Sequence, residues 1–307
     1  MNKKKKILIT GSSGMVGSSL VDVLSSDHNY EIFAANSNNM NLLNNNKTEK
    51  ILNDFNPDYI VHSAGIVGGI QMNINSQYKS LFENTKMSLN LIEALKKQKK
   101  TTKLINLGSS CIYPRNLDKE YTIDDLLSGR LEPTNEGYAI AKIVCMKLIE
   151  HQESDFFIGK TIVPCNLFGE YDSFDSTSSH LIPAIIMKVN ESKKNKKQIE
   201  IWGDGEARRE FSFSKNLSLF IQNFLEHFDE YPEIVNFGEE NDYSILEYYE
   251  MACEIIGCEK NFLFDLKKPV GMKSKKVDIS FQKEINWTNP FTVEEGIKIT
   301  NEYYKKL

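Results

Sequence analysis

The chain has 307 residues, 40% of them apolar, with 37 lysines and arginines against 42 acidic residues and a formal charge of -5. That length and apolar content suit one large α/β domain or two smaller ones around a sizeable core. The acidic balance argues against nucleic-acid or membrane binding, and the lysine runs at 3–6 and 193–197 read as solvated surface.

In chain order, residues 6–10 read as a short apolar strand, 16–25 as a helix and 31–35 as a second strand. A short helix at 48–55 stops before Pro57, and 59–62 is a third strand. A long amphipathic helix at 80–97, a strand at 104–107, a helix at 138–151 and a strand at 160–164 follow. Strands alternating with helices imply parallel βαβ units, hence a doubly wound α/β sheet of Rossmann type. Past about residue 170 the pattern becomes irregular, with helices at 181–189, 217–227 and 245–256 and short strands at 198–202 and 235–237. This predicts a dinucleotide-binding domain over 1–170 and a smaller α/β substrate lobe over 171–307, with a soft boundary and chain crossings between lobes.

No segment is apolar enough to span a bilayer. The apolar stretch after the first lysines is too short for a signal peptide, so the expectation is a cytoplasmic protein beginning with its first strand. Cys111, Cys145, Cys165, Cys253 and Cys258 form no CxxC pair and read as free thiols in a reducing compartment. No metal site is expected.

"ILITGSSGMVGSSL" sets Gly11, Gly14 and Gly17 in a GxxGxxG array between the first strand and the first helix. Glycine lets the backbone approach a pyrophosphate, and the helix N-terminus offers free N–H groups and a positive dipole. An acid closing the second strand would favour NAD, and a nearby arginine the 2′-phosphate of NADP. Here the strand ends "FAANSNN", with Asn36 and Ser37 and neither signal.

"YAIAK" spaces Tyr138 and Lys142 four apart, on one helix face. A lysine ammonium beside a phenol favours phenolate, and such a phenol can exchange a proton near neutral pH. Ser109, at the end of the fourth strand, stands where its hydroxyl can bond the same carbonyl oxygen. The combination of glycine array, strand-end serine and YxxxK resembles an extended short-chain dehydrogenase/reductase.

The blocks "GMVGS", "NLL", "VGGI", "GSSCIYP", "LEPTNEGYAIAK", "NLFG", "SHLIPA", "WGDG" and "RREF" occur in order. Together they resemble the GDP-L-fucose synthase family, from Ile7 to about Asp278. The resemblance implies an NADPH-dependent reductase of a GDP-linked 4-keto-6-deoxy sugar, hexose or heptose, possibly with 3,5-epimerisation, in nucleotide-sugar biosynthesis for surface glycans. It implies catalytic Ser109, Tyr138 and Lys142, with Cys111 as epimerisation base and His180 as its partner acid. Cofactor contacts are implied for Gly11, Ser12, Ser13, Gly14, Met15, Val16, Gly17, Asn36, Ser37, Asn41, Leu42, Ala64, Gly65, Tyr138, Lys142, Pro164, Asn166, Leu167 and His180. Substrate contacts are implied for Ser109, Ser110, Cys111, Asn166, Lys188, Trp202 and Arg209, and a homodimer through helices 80–97 and 138–151.

Taken singly, His180 also reads as a helix cap, Trp202 as core and Arg209 as an ion-pair partner of Glu210. Three departures from the family stand out. Ser12-Ser13 and Ala35-Asn36-Ser37 replace its phosphate-binding arginines, "FSFSKN" lacks two of its carboxylates, and Ile66 replaces a lysine. NADPH stays favoured because biosynthetic reductions draw on it, with NADH not excluded. Two other classes remain open: a cofactor-retaining NAD epimerase or dehydratase of the same superfamily, and a cofactor-binding regulator.

Overall fold

The computed structural model describes residues 4–307 apart from 154, 176–178 and 269–270; Lys3 of the N-terminal lysine run lies outside them. The first half alternates as expected, apart from the short helix α3, which the sequence reading lacked: β1 (Lys5–Thr10), α1 (Met15–Ser25), β2 (Tyr30–Ala35), α2 (Asn45–Phe55), β3 (Tyr59–His62), α3 (Ile70–Asn75), α4 (Gln77–Leu95), β4 (Thr102–Leu107), α5 (Glu136–Glu150) and β5 (Phe157–Pro164). Then come β6 (Asn166–Phe168), α6 (Leu181–Asn195), β7 (Ile199–Trp202), β8 (Arg208–Arg209), β9 (Phe211–Phe213), α7 (Ser214–Glu226) and β10 (Ile234–Phe237). The last elements are β11 (Tyr243–Ser244), α8 (Ile245–Ile256), β12 (Phe262–Asp265), α9 (Ser280–Glu284) and α10 (Val293–Tyr304).

Six strands form one parallel sheet in the order β10-β5-β4-β3-β1-β2. Their apolar runs are buried on both faces; Ile7, Leu8 and Ile9 of β1 have no exposed surface. That is the signature of a parallel sheet covered on both sides. One face carries α1 and α7, with Leu20, Leu24, Phe220 and Phe224 packed on Ile7, Ile9 and Val61. The other packs Leu52, Leu91, Leu95 and Cys145 on Leu8, Ile60 and Leu104. A separate core joins Phe168, Ile185, Val189, Ile201, Tyr248 and Ile297 from β6, α6, β7, α8 and α10.

The chain runs from β1 to β2 on one side, then crosses to β3 on the other side of β1. A crevice opens at such a switch point, outside the carboxyl ends of the strands, and ligands bind there. The loops after β1, β3, β4 and β5 all arrive at that end.

Local signals explain the helix limits. Asn44 caps α2 through the Lys47 N–H, and Asn56 ends it in the left-handed region at φ 53°. Ser244 with Glu247, and Thr292 with Glu295, form capping boxes on α8 and α10. The helix read at 181–189 extends to Asn195, because Lys193 and Lys194 suit a helix C-terminus even where apolar periodicity has ended. The strands β6, β8, β9, β11 and β12, two to four residues each, escaped the sequence reading, since such segments carry too little periodicity.

Candidate active site

Three glycines shape the loop between β1 and α1. Gly11 has φ +68°, and a Cβ on it would sit 2.7 Å from the Ala64 Cα. A Cβ on Gly17 would lie 2.1 Å from the Gly11 carbonyl oxygen. Gly14 caps α1 without a side chain, and a Cβ there would meet only that carbonyl, at 3.5 Å. The helix N-terminus is therefore open and lined by backbone, which fits a dinucleotide diphosphate. Ser12 donates its N–H to the Ala35 carbonyl (3.0 Å), tying this loop to the end of β2. Ser13 is exposed, while Met15 and Val16 are half-buried.

The facing wall is the loop after β3. Ala64 donates its N–H to Thr10 Oγ1 (3.2 Å), and Asn84 on α4 clamps Ile66 by its N–H (2.7 Å) and carbonyl (3.0 Å). Gly65 is exposed, and a Cβ there would lie 3.8 Å from Lys142 Nζ. His62 bonds Thr10 Oγ1 (2.9 Å); burial, helped by the Lys142 charge, pulls its pKa down to about 3, so the ring is neutral. After β2, Asn36 Oδ1 accepts the Asn38 N–H (3.0 Å) and Asn39 Oδ1 the Asn36 N–H (2.7 Å), leaving Ser37 exposed. Asn41 caps Leu43, and Leu42 is a core side chain.

Ser109 follows β4 and caps a short 3₁₀ turn, Ser110–Ile112, accepting the Cys111 N–H at 3.3 Å. Ser110 is buried. On α5, Tyr138 and Lys142 share one face as predicted, with Lys142 Nζ 5.7 Å from the Tyr138 ring centroid and donating to the Leu107 carbonyl at 2.8 Å. Burial holds the Tyr138 pKa well above the phenol range, the Cys111 charge adds to this, and a hydrogen bond with Ser109 works against it. Burial also lowers the Lys142 ammonium. The expected lowering of the phenol by Lys142 does not appear: desolvation dominates, and Ser109 is the group that eases the phenolate.

Cys111 stands beside this cluster. Its sulfur accepts Asn135 Nδ2 at 3.1 Å and Lys275 Nζ at 3.5 Å. Among the described residues no hydrogen bond joins it to His180. His180 sits at the N-cap of α6 but does not cap it with its side chain; its Nδ1 meets Asp172 Oδ1 at 3.2 Å. Burial pulls the imidazole pKa down, but the hydrogen bond and charge of Asp172 outweigh it, and the net shift is upward.

Asn166 opens β6 right after Pro164 and Cys165, donating Nδ2 to the Glu210 carbonyl (2.8 Å), while Leu167 pairs with Ser212. In the C-terminal core region, Lys188 Nζ lies 5.5 Å and Lys268 Nζ 5.0 Å from the Trp202 ring. Trp202 is 38% exposed, so it is not core. An aromatic face with two cations suits a nucleotide base and phosphates. Burial lowers the pKa of both Lys188 and Arg209. Glu210 does not serve as an ion-pair partner for Arg209: its carboxyl takes the N–H groups of Glu239 (2.7 Å) and Val277 (2.9 Å).

Residues 7–238 match the model of the NAD dependent epimerase/dehydratase family. Over 302 residues the chain is 44% identical to a GDP-L-colitose synthase of Yersinia pseudotuberculosis, covering 97% of each. Over 306 residues it is 40% identical to a GDP-L-fucose synthase of Azorhizobium caulinodans, covering 99% of this chain and 97% of that one. The chain belongs to the GDP-L-fucose synthase family. A solved GDP-mannoheptose C4 reductase from Campylobacter jejuni with NADP bound superposes with a TM-score of 0.84 at 26% identity, covering 99% of both chains.

Four residues of this member of the GDP-L-fucose synthase family escaped the sequence reading. Lys275 lies 164 positions from Cys111, and Lys268 lies 66 from Trp202, separations that carry no periodic signal. Asn135 and Asp172 lie close in sequence to predicted residues, but polar loop residues are too common to stand out.

Proposed function

We propose that this protein is an NADPH-dependent reductase of a GDP-linked 4-keto-6-deoxy sugar, acting in the cytoplasm in nucleotide-sugar biosynthesis, with epimerisation at carbons 3 and 5. The observation that carries this reading is the gathering of Ser109, Tyr138, Lys142 and Cys111 at one strand end beside the open glycine cradle. NADP bound to the Campylobacter jejuni reductase supports the cofactor, and the names of the relatives support the GDP-linked sugar.

Bound NADPH supplies the hydride that reduces carbon 4. Tyr138 protonates the oxygen that becomes negative, and Ser109 donates to the same oxygen. Lys142 keeps a cation beneath the phenol. A 4-keto group acidifies the protons on carbons 3 and 5; Cys111 takes the proton from one face of the ring and His180 delivers one to the opposite face, which inverts the carbon. Asn135 and the Lys275 ammonium face the sulfur and hold it in place. Trp202, Lys188, Lys268 and Arg209 receive the nucleoside diphosphate. Two chains pair through α4 and α5.

Incubation with GDP-4-keto-6-deoxymannose and NADPH in deuterated water tests the reading. Expected are NADPH oxidation and deuterium at carbons 3 and 5, with Tyr138→Phe slowing reduction at least a hundredfold. Reduction without deuterium would leave a pure reductase. Failure on this sugar and on its heptose analogue, or full activity of Tyr138→Phe, would refute the proposal.

A further inference from the structure

NADP differs from NAD by one phosphate on the adenine ribose, a dianion that a discriminating site pairs with a cation. The usual position for that cation, the end of β2, carries Ala35-Asn36-Ser37 here. The fold brings a cation there from another element. Lys47, in the first turn of α2, donates Nζ to the Asn38 carbonyl at 2.9 Å. Its backbone is fixed by the Asn44 cap, which accepts the Lys47 N–H at 3.0 Å. Among the described residues no carboxylate forms a salt bridge with Lys47, whereas Glu49 on the same helix is held by Lys97 at 2.7 Å. The charge of Lys47 is therefore uncommitted, and its ammonium reaches from α2 to the loop that carries the exposed Ser37. That loop is bound to the glycine cradle by the bond from Ser12 to Ala35.

We infer that Lys47 is the residue that selects NADP over NAD, pairing with the ribose 2′-phosphate while Ser13 and Ser37 offer hydroxyl groups beside it. This rests on the NADPH reading above. The cation comes from α2 and not from the strand end, so no motif centred on β2 reveals it.

The test is binding, not turnover. Dissociation constants of NADP+, NAD+ and 2′,5′-ADP are measured calorimetrically for the wild type, Lys47→Ala and Lys47→Arg, with thermal melts to verify folding. Lys47→Ala should weaken NADP+ and 2′,5′-ADP about ten- to hundredfold, the range of a hydrogen bond to a charged group, and leave NAD+ within about twofold. Lys47→Arg should restore most of the preference. An unchanged NADP+/NAD+ ratio in Lys47→Ala, against a wild type that prefers NADP+, overturns the assignment of Lys47 alone. A wild type that prefers NAD+ overturns the cofactor reading and this inference together.

Discussion

At the scale of single residues, two acid–base groups are set by what lies against them. Tyr138 is held protonated by burial, which suits a group that must deliver a proton. His180 is also shifted toward keeping its proton, but against its burial, because Asp172 overcomes the burial penalty. The sign follows: the imidazolium is fully present below the ordinary histidine range and is lost as pH rises through the raised folded value, so proton donation fails on the alkaline side. Asp172→Asn leaves burial to act alone and should lower the histidine. The alkaline limb of deuterium exchange should then move to lower pH; superimposable pH profiles would show that Asp172 only packs. Ser109, Tyr138 and Lys142 were legible because their spacing on a helix and at a strand end is local, whereas Cys111 stood out only through the family resemblance. Lys275 was not, because only the returning C-terminal chain sets its ammonium against the Cys111 sulfur.

At the scale of elements, α4 is informative. One face of it packs in the core through Leu91 and Leu95, and Asn84 clamps the loop after β3. The other face exposes Tyr78 (78%), Phe82 (51%) and Leu89 (39%), with the first two rings stacked at 5.7 Å. Their spacing puts them on one stripe of α4, an apolar surface suited to a second copy of the chain. Light scattering should give a dimer mass for the wild type, and Phe82→Asp should shift it toward monomer at micromolar concentration. A monomeric wild type would remove the proposed pairing. The amphipathic period of this helix was readable from the sequence, but which apolar residues stay outside was not, since exposure depends on how many neighbours the fold supplies.

At the scale of the whole molecule, Glu210 ties distant parts together. The residue, 1% exposed, lies between β8 and β9, and its carboxyl takes N–H groups from Glu239 and Val277, joining this link to the segment after β10 and to the C-terminal part of the chain. Burial raises its pKa to about 8 against an ordinary 4.5, the two N–H bonds opposing but not cancelling that rise. Below the unfolded value both states hold the proton. Between the two values the unfolded chain has released it and the folded chain has not, so stability falls with rising pH, by at most about 1.4 kcal/mol per unit from this group. The urea midpoint should decline from pH 5 to pH 8. Glu210→Gln, though destabilised throughout, should decline less steeply; parallel curves would assign the trend to other groups.

The sequence alone determined the strand–helix alternation, the glycine cradle and the placing of Ser109 at the end of β4 and of Tyr138 and Lys142 on one face of α5. Each is a local pattern whose steric or periodic requirement is met within a few residues. Only the tertiary structure decided what those groups face: Lys275 and Asn135 against Cys111, Asp172 against His180, Lys268 and Lys188 about Trp202, and Lys47 at the end of β2. These contacts join chain segments whose separation leaves no trace in composition or spacing. Charge and desolvation act through space, so the pKa of each group is a property of the assembled neighbourhood and not of the residue.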